Sequence, residues 1–205
     1  MERQKIGNET ESIQVGMQSL DNELVSQEVL WDSTTPTKST GYIQIERTIK
    51  SFREYVAPKV TPVAIELHLE ATLPSGNILS GHPDYLEQLT VHDLKTGAGK
   101  RRPNGAQYGA YSLLCAANGM PISNIQEEFL RRTPVRHDTC APEIHNYSRE
   151  KAEKTAWNII SCIERDYKLF LKTGTPCSFT ANPASMLCSE KYCRAWGTDW
   201  CEEHL

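Results

Sequence analysis

The chain has 205 residues, 39% of them hydrophobic and 23% charged, a balance that excludes a wholly disordered protein and suits one domain with a hydrophobic core plus an appendage. It contains no run of about 18 apolar residues, and residues 1–14 lack the apolar stretch of a secretory signal, so a membrane span is excluded and a cytoplasmic protein is expected. The formal net charge of −4 excludes a uniformly basic nucleic-acid binder, and leaves phosphate binding to local patches.

Residues 1–40 are polar, rich in Glu, Gln, Ser and Thr, and close on the breaker-rich stretch 32–41, which predicts a weak helix followed by a loop. Apolar residues at Ile43, Ile45, Ile49 and Phe52 to Tyr55 predict a short helix ending before Pro58. From Val63 the pattern becomes alternation: Val63, Ile65, Leu67 and Leu69 are separated by Ala64, Glu66, His68 and Glu70, as in a half-buried strand. A turn at Pro74–Gly76 leads to a second strand over Ile78–Leu86 and a third over Thr90–Lys95, which together form a three-stranded meander.

Residues 97–105 form a basic, Gly-containing loop. Beyond it Gln107, Tyr108, Tyr111, Leu114 and Cys115 recur at helical spacing up to the stop signal Asn118-Gly119. Ile122–Leu130 and Ile144–Tyr147 read as further strands. Ser148 to Lys151 then opens a long helix whose apolar stripe is Ala152, Ala156, Ile159, Ile160, Ile163, Tyr167 and Phe170. The division follows: 1–41 a polar N-terminal segment, 42–175 an α/β core, and 176–205 a cysteine-containing tail.

The chemistry-bearing residues lie on the second and third strands. Asp84 follows Gly81, His82 and Pro83; Asp93 and Lys95 stand two apart on the next strand, projecting from one face. Two carboxylates brought together by a hairpin supply what a Mg²⁺-type cation takes, one or two hard oxygen ligands with water and phosphate oxygens filling the remainder. A lysine beside a metal-bound water can orient it and offset phosphate charge, which is the chemistry of phosphodiester hydrolysis. Glu66 on the first strand can add an acidic group, through water or by orienting a ligand. Any one of these residues alone reads as an exposed strand pair; only the ensemble argues otherwise. Lys95, Lys100, Arg101 and Arg102 form one basic group, and Arg131, Arg132 and Arg136 another, each read equally as a solvated charged face. Gln107 and Tyr111, four apart, share a helix face just after the basic loop, for substrate contact or for packing.

In this order and spacing, Glu66, Gly81-His82-Pro83-Asp84, Asp93-Leu94-Lys95-Thr96-Gly97 and Gln107-Tyr108-Gly109-Ala110-Tyr111 resemble the PD-(D/E)xK nuclease superfamily, over roughly residues 45–201. The resemblance is to its RecB-like branch, which includes phage or prophage exonucleases and CRISPR-associated adaptation nucleases. It implies a restriction-endonuclease-like core, a central mixed β-sheet flanked by helices. It also implies metal binding by Asp84, Asp93 and the backbone carbonyl of Leu94, assistance to the attacking water by Lys95, and substrate contacts from Gln107 and Tyr111. The family usually carries a metal-binding His on an N-terminal helix. Residues 1–40 contain none, leaving Glu9, Glu11 or Glu23 as substitutes; the role of His82 is open.

Seven cysteines in a reducing cytoplasm favour a metal centre over disulfides wherever they group. Cys188, Cys193 and Cys201 group, with Cys177 upstream, and a zinc ion, an iron–sulfur cluster or a metal-free tail of packed thiols are all compatible. The tail is similar to the 4Fe-4S closure of RecB-like relatives, with Cys177 as fourth ligand in the absence of an N-terminal cysteine. Cys115, Cys140 and Cys162 read as small buried filler. The expected protein is a Mg²⁺- or Mn²⁺-dependent deoxyribonuclease, an exonuclease working on DNA ends or single strands in replication, recombination or defence, with phage recombination or replication proteins as partners. The alternative is a DNA-binding or assembly subunit that keeps the fold without efficient catalysis.

Overall fold

The computed structural model describes residues 7–26, 31–99, 101, 103–132, 139–175, 190 and 196–198. Its centre is a five-stranded sheet built from β1 (Ala64–Ile65), β4 (Tyr85–Leu86), β5 (Thr90–Gly97), β6 (Asn124–Arg131) and β7 (Glu143–Tyr147), in that spatial order. β5 and β6 run parallel and the other neighbours antiparallel, so the sheet is mixed. Parallel strands cannot be joined by a tight turn, and helix α3 (Gly105–Ala117) makes the crossover between them. A separate antiparallel hairpin, β2 (Leu69–Thr72) with β3 (Ile78–Gly81), packs against α3. This is the expected mixed α/β architecture.

Alternation along the strands sorts the residues onto two faces. Val91 and Ile125 point toward α3 and join Leu69, Leu86, Tyr108, Leu114, Cys115, Ile122 and Ala152 in one buried cluster. Helix α2 (Lys38–Tyr55) approaches at β6, and its Phe52 faces Tyr85 and Leu94 across a cleft on the other side. Both sheet faces are thus covered around β5 and β6, as parallel pairing requires.

The predicted meander is corrected at two points. Residues 63–70 do not make one strand: β1 stops at Ile65, Glu66 takes a left-handed φ of 48°, and β2 starts at Leu69. Residues 78–86 do not make one strand either, because Pro83 has no N–H to give a ladder and the chain leaves the hairpin there to enter the main sheet as β4. The alternating side-chain pattern runs through both breaks and so conceals them.

The helices are longer than predicted at their starts. The Thr37 hydroxyl caps α2 by accepting from the Thr40 amide at 3.2 Å, so the helix begins inside the stretch read as loop. Helix α1 (Glu9–Ser26) buries none of its residues completely, yet it holds to α2 through Tyr42 Oη donating to Asp21 at 2.5 Å and Lys38 Nζ 2.8 Å from the same carboxylate. Its stability comes from that partner and not from propensity.

Helix α4 (Arg149–Thr173) opens as predicted, with the Ser148 hydroxyl accepting from the Lys151 amide, and ends on Gly174 at a φ of 67°. Its apolar stripe is only partly buried. Ala152 and Ala156 are in the core, whereas Ile159, Ile163 and Tyr167 are exposed. Among the smaller expectations, Cys115 is buried filler, but Cys140 is half-buried and Cys162 exposed, which corrects that reading for Cys162. Small residues set the α3–α4 crossing: a Cβ on Gly109 would stand 2.0 Å from the Ala152 carbonyl oxygen, inside any van der Waals limit.

Gly109→Ala is therefore expected to destabilise the fold by about 3 kcal/mol, the upper range for overpacking a rigid contact. Gly99→Ala, whose Cβ would meet open space, should stay within about 0.5 kcal/mol of wild type. Urea unfolding midpoints of the two variants check this, and equal midpoints would contradict the close crossing.

Candidate metal and phosphodiester site

The site forms where β4 stops. The β4–β5 ladder pairs Tyr85 with His92 and Leu86 with Val91, and goes no further. The next outward-facing amide of β5, that of Leu94, is taken instead by the side chain of Asp84, at 2.5 Å from Oδ2. In an extended strand the N–H and C=O of one residue point the same way, so the Leu94 carbonyl also faces the Asp84 edge. Glu66 closes the corner, its amide donating to the Asp84 carbonyl at 3.0 Å. A left-handed φ on a residue other than glycine is costly and is held here by that bond and the flanking ladder.

Asp93 and Lys95 share the parity of Val91 and lie on the α3 side of the sheet. Asp93 is fully buried. Lys95 Nζ stands 2.7 Å from its Oδ2 as an ion pair, and beyond that pair neither Asp93 oxygen has a hydrogen-bond partner among the described residues. Burial, reinforced by the nearby negative Asp84, pushes Asp93 above the usual carboxylate range against the pull of Lys95. Asp84 is raised likewise, mainly by burial, with the Leu94 amide and Lys95 opposing and Glu66 and Glu128 adding to the rise. The three residues singled out from the sequence are therefore electrostatically coupled in one place.

Sequence reasoning missed the wall behind them. Parallel pairing sets Glu127 directly opposite Asp93, on the same face and just as completely buried. Glu127 accepts hydrogen bonds from Tyr108 Oη and Arg101 Nε, and from Tyr147 Oη at 3.0 Å. Desolvation alone would raise this carboxyl, but those donors outweigh it and hold it below its ordinary value; Tyr147 is in turn pushed up to about 12, chiefly by burial. On the opposite face His92 Nδ1 lies 2.8 Å from Glu128 and Nε2 3.2 Å from Glu87, with the Tyr85 ring stacked on it at 4.4 Å. The available signal for both was the pair of adjacent acids, Glu127 and Glu128, inside the segment Ile122–Leu130 that reads as a strand.

Gln107 and Tyr111 do share a face of α3, and Gln107 Nε2 donates to Tyr111 Oη at 2.8 Å. Tyr111 packs on Gly81, where a Cβ would meet its ring at 3.0 Å. Arg101 is engaged inward with Glu127 and Tyr147. Lys100 and Arg102 lie outside the described residues, as do Arg136 and all four tail cysteines, Cys177, Cys188, Cys193 and Cys201. Of the N-terminal substitutes, Glu9 lies 3.7 Å from Arg53, and Glu11 and Glu23 are exposed on α1. Among the described residues no three His, Cys, Asp or Glu side chains form a metal-holding group, so none of the three joins the aspartate pair.

The fold has a structural counterpart. The chain shares its fold with a candidate exonuclease. That protein, from Eubacterium rectale and known from a crystal structure, superposes with a TM-score of 0.52 at 13% identity, over 83% of this chain and 70% of its own. No family model and no curated protein matches the sequence. No helix among the described residues is long and apolar enough to cross a membrane.

The donor set fits a hard divalent cation: two carboxylates, one of them with no hydrogen bond beyond the Lys95 pair among the described residues, and a carbonyl at a strand margin, all oxygen. A carboxyl raised by folding lowers stability once it ionises, so stability should fall as pH rises from the ordinary 3.8 through the native value of Asp93. Asp93→Asn removes that cost. It is expected to raise Tm at pH 7 by about 3 °C, the shift that roughly 1 kcal/mol gives a chain of this size, and to change Tm little at pH 4. In wild type, millimolar Mn²⁺ should raise Tm, and in the variant it should not. Calorimetry with and without Mn²⁺ checks both, and a lower Tm for the variant at pH 7 would contradict the account.

Proposed function

We propose that this chain is a metal-dependent deoxyribonuclease of the RecB-like PD-(D/E)xK type, acting as an exonuclease on DNA. The observation that carries the reading is the fully buried Asp93 carboxylate, ion-paired to Lys95 and otherwise without a hydrogen-bond partner among the described residues. A buried ionisable group short of hydrogen bonds costs a fold about 1–3 kcal/mol, and such groups concentrate where chemistry needs them. Asp84, fixed by the Leu94 amide, stands against the same edge. The fold shared with a candidate exonuclease agrees with this reading.

Asp84, Asp93 and the Leu94 carbonyl would hold Mg²⁺ or Mn²⁺. The ion, when bound, lowers the pKa of a coordinated water and offsets negative charge on the phosphate. Lys95, paired to Asp93 and about one-third exposed, reaches from the buried side to solvent, where its ammonium orients the attacking water and draws the phosphate in. Glu66 orients a ligand through water. Gln107 and Tyr111 face the substrate beside the site, and Lys100, Arg101 and Arg102 give the β5–α3 loop its phosphate affinity; Arg101 does so while anchored to Glu127. The tail cysteines Cys177, Cys188, Cys193 and Cys201 would bind a 4Fe-4S cluster, or zinc, that closes the domain. A cytoplasmic role beside phage recombination or replication proteins completes the reading.

A second reading, a DNA-binding or assembly subunit with weak catalysis, is favoured by the lack of a third metal-holding side chain among the described residues. Linear end-labelled DNA with Mn²⁺ separates the two. The wild type is expected to degrade it, and Lys95→Ala to lower the rate at least 100-fold, about 2.7 kcal/mol of barrier, with the native circular dichroism retained and Tm lowered by loss of the cation paired to Asp93. DNA that is bound but stays intact under Mg²⁺ and Mn²⁺ decides for the binding subunit. Absorbance near 400 nm in purified protein would support the iron–sulfur tail, and a colourless protein that loses zinc to a chelator would replace it.

A further inference from the structure

The chain segments that meet at Glu66 and Asp84 continue into the hairpin, and one more pair of side chains stands on the way. The register of β2 and β3 sets Leu69 opposite Gly81, so His68 and His82, one residue further toward the site, face each other across the ribbon. Their rings are stacked, with centroids 4.5 Å apart and an interplanar angle of 12°. The Glu66 amide bonds to the Asp84 carbonyl, two residues along each segment. Two residues of chain span at most about 7 Å, so the imidazole pair stands within that reach of the rung that carries Asp84.

We propose that His68 and His82 form a stacking platform for an unpaired nucleobase, which makes single-stranded DNA the substrate; this rests on the nuclease reading above. The pair is exposed: the His68 side chain keeps 51% of its surface accessible, and His82 is exposed as well. Packing does not require it, since the buried cluster under the hairpin is made by Leu69, Leu79 and Ala71 with α3. A stack open to water offers an aromatic face, and every base has a complementary one. The polar edge of His68 is turned to Glu70, its Nε2 3.3 Å from the Glu70 carboxylate. That negative group opposes a phosphate at this spot and leaves the flat face for the neutral base. In duplex DNA the bases are stacked on each other and unavailable, so only a single strand or an unpaired end can use the platform.

The test is an equilibrium titration of full-length protein, in EDTA, into a single-stranded oligonucleotide carrying 2-aminopurine, whose fluorescence is quenched when the base stacks. Wild type is expected to quench it. His68→Ala and His82→Ala should weaken binding about tenfold, within the range for one lost base stack, and lose the quench. His82→Phe, which keeps a flat ring and no titrating nitrogen, should retain it. Quenching that is absent in wild type, or equal in the alanine variants, overturns the platform. Cutting of end-labelled DNA with Mn²⁺ is scored separately: a wild type that cuts without any quench sinks the platform alone, and one that quenches without cutting sinks the nuclease reading alone.

Discussion

One hydrogen bond organises the site, that from the Leu94 amide to the Asp84 carboxylate. It falls where the short β4 runs out and β5 would otherwise present an unpaired backbone edge. A side chain there does the work of a strand, and in doing so brings an acid from the β3–β4 junction beside the strand that carries Asp93 and Lys95. The kink at Pro83 and the left-handed Glu66 are the backbone conditions for this substitution. Remove either and a regular ladder would extend past the point at which Asp84 is needed.

Charge is balanced around β5 and β6 in two separate layers. On the α3 side, Asp93 and Glu127 are neighbours across the parallel ladder, each fully buried, and Lys95 and Arg101 supply one cation to each. The two acids differ in partners. Glu127 takes three donors and is held below its ordinary value, whereas for Asp93 burial outweighs the pull of Lys95 and the carboxyl is raised. On the other side, Glu128 is met by His92 and Gln126. A pair of adjacent acids in the middle of a core strand is unfavourable in isolation. Here each faces a different layer, and among the described residues Asp93 lacks a hydrogen bond at both oxygens whereas Glu128 lacks one at Oε2 alone.

Much of this was legible from residue order. The alternation of β5, the Ser148 cap of α4, the stop at Asn118-Gly119 and the acid–acid–lysine constellation follow from short-range rules, and the structure places Asp84, Asp93 and Lys95 together. The hairpin's departure from the main sheet was not legible, because Val63 to Glu70 alternates without interruption through the Glu66 kink. The full length of α1 was not legible either, since its support is the distant Tyr42 and Lys38. Glu127 was hidden for a similar reason: its meaning depends on parallel register with Asp93, 34 positions upstream, and on donors from three other elements. The outward half of the α4 stripe shows the converse, in that helical periodicity identifies a face but not what covers it.

The near-contact of Gly109 with the Ala152 carbonyl gives the helix of Gln107 and Tyr111 a second, backbone-to-backbone link to the wall behind Asp93. Gly109 sits between Gln107 and Tyr111 on α3, while α4 follows directly from β7, whose Tyr147 holds Glu127 behind Asp93. With backbone seated on backbone, the two helices have no side-chain cushion to absorb a displacement. Crowding at that glycine would be transmitted along α4 to the far margin of the sheet and return to the acid beside Asp93, so a residue with no polar atom in the site still governs its alignment.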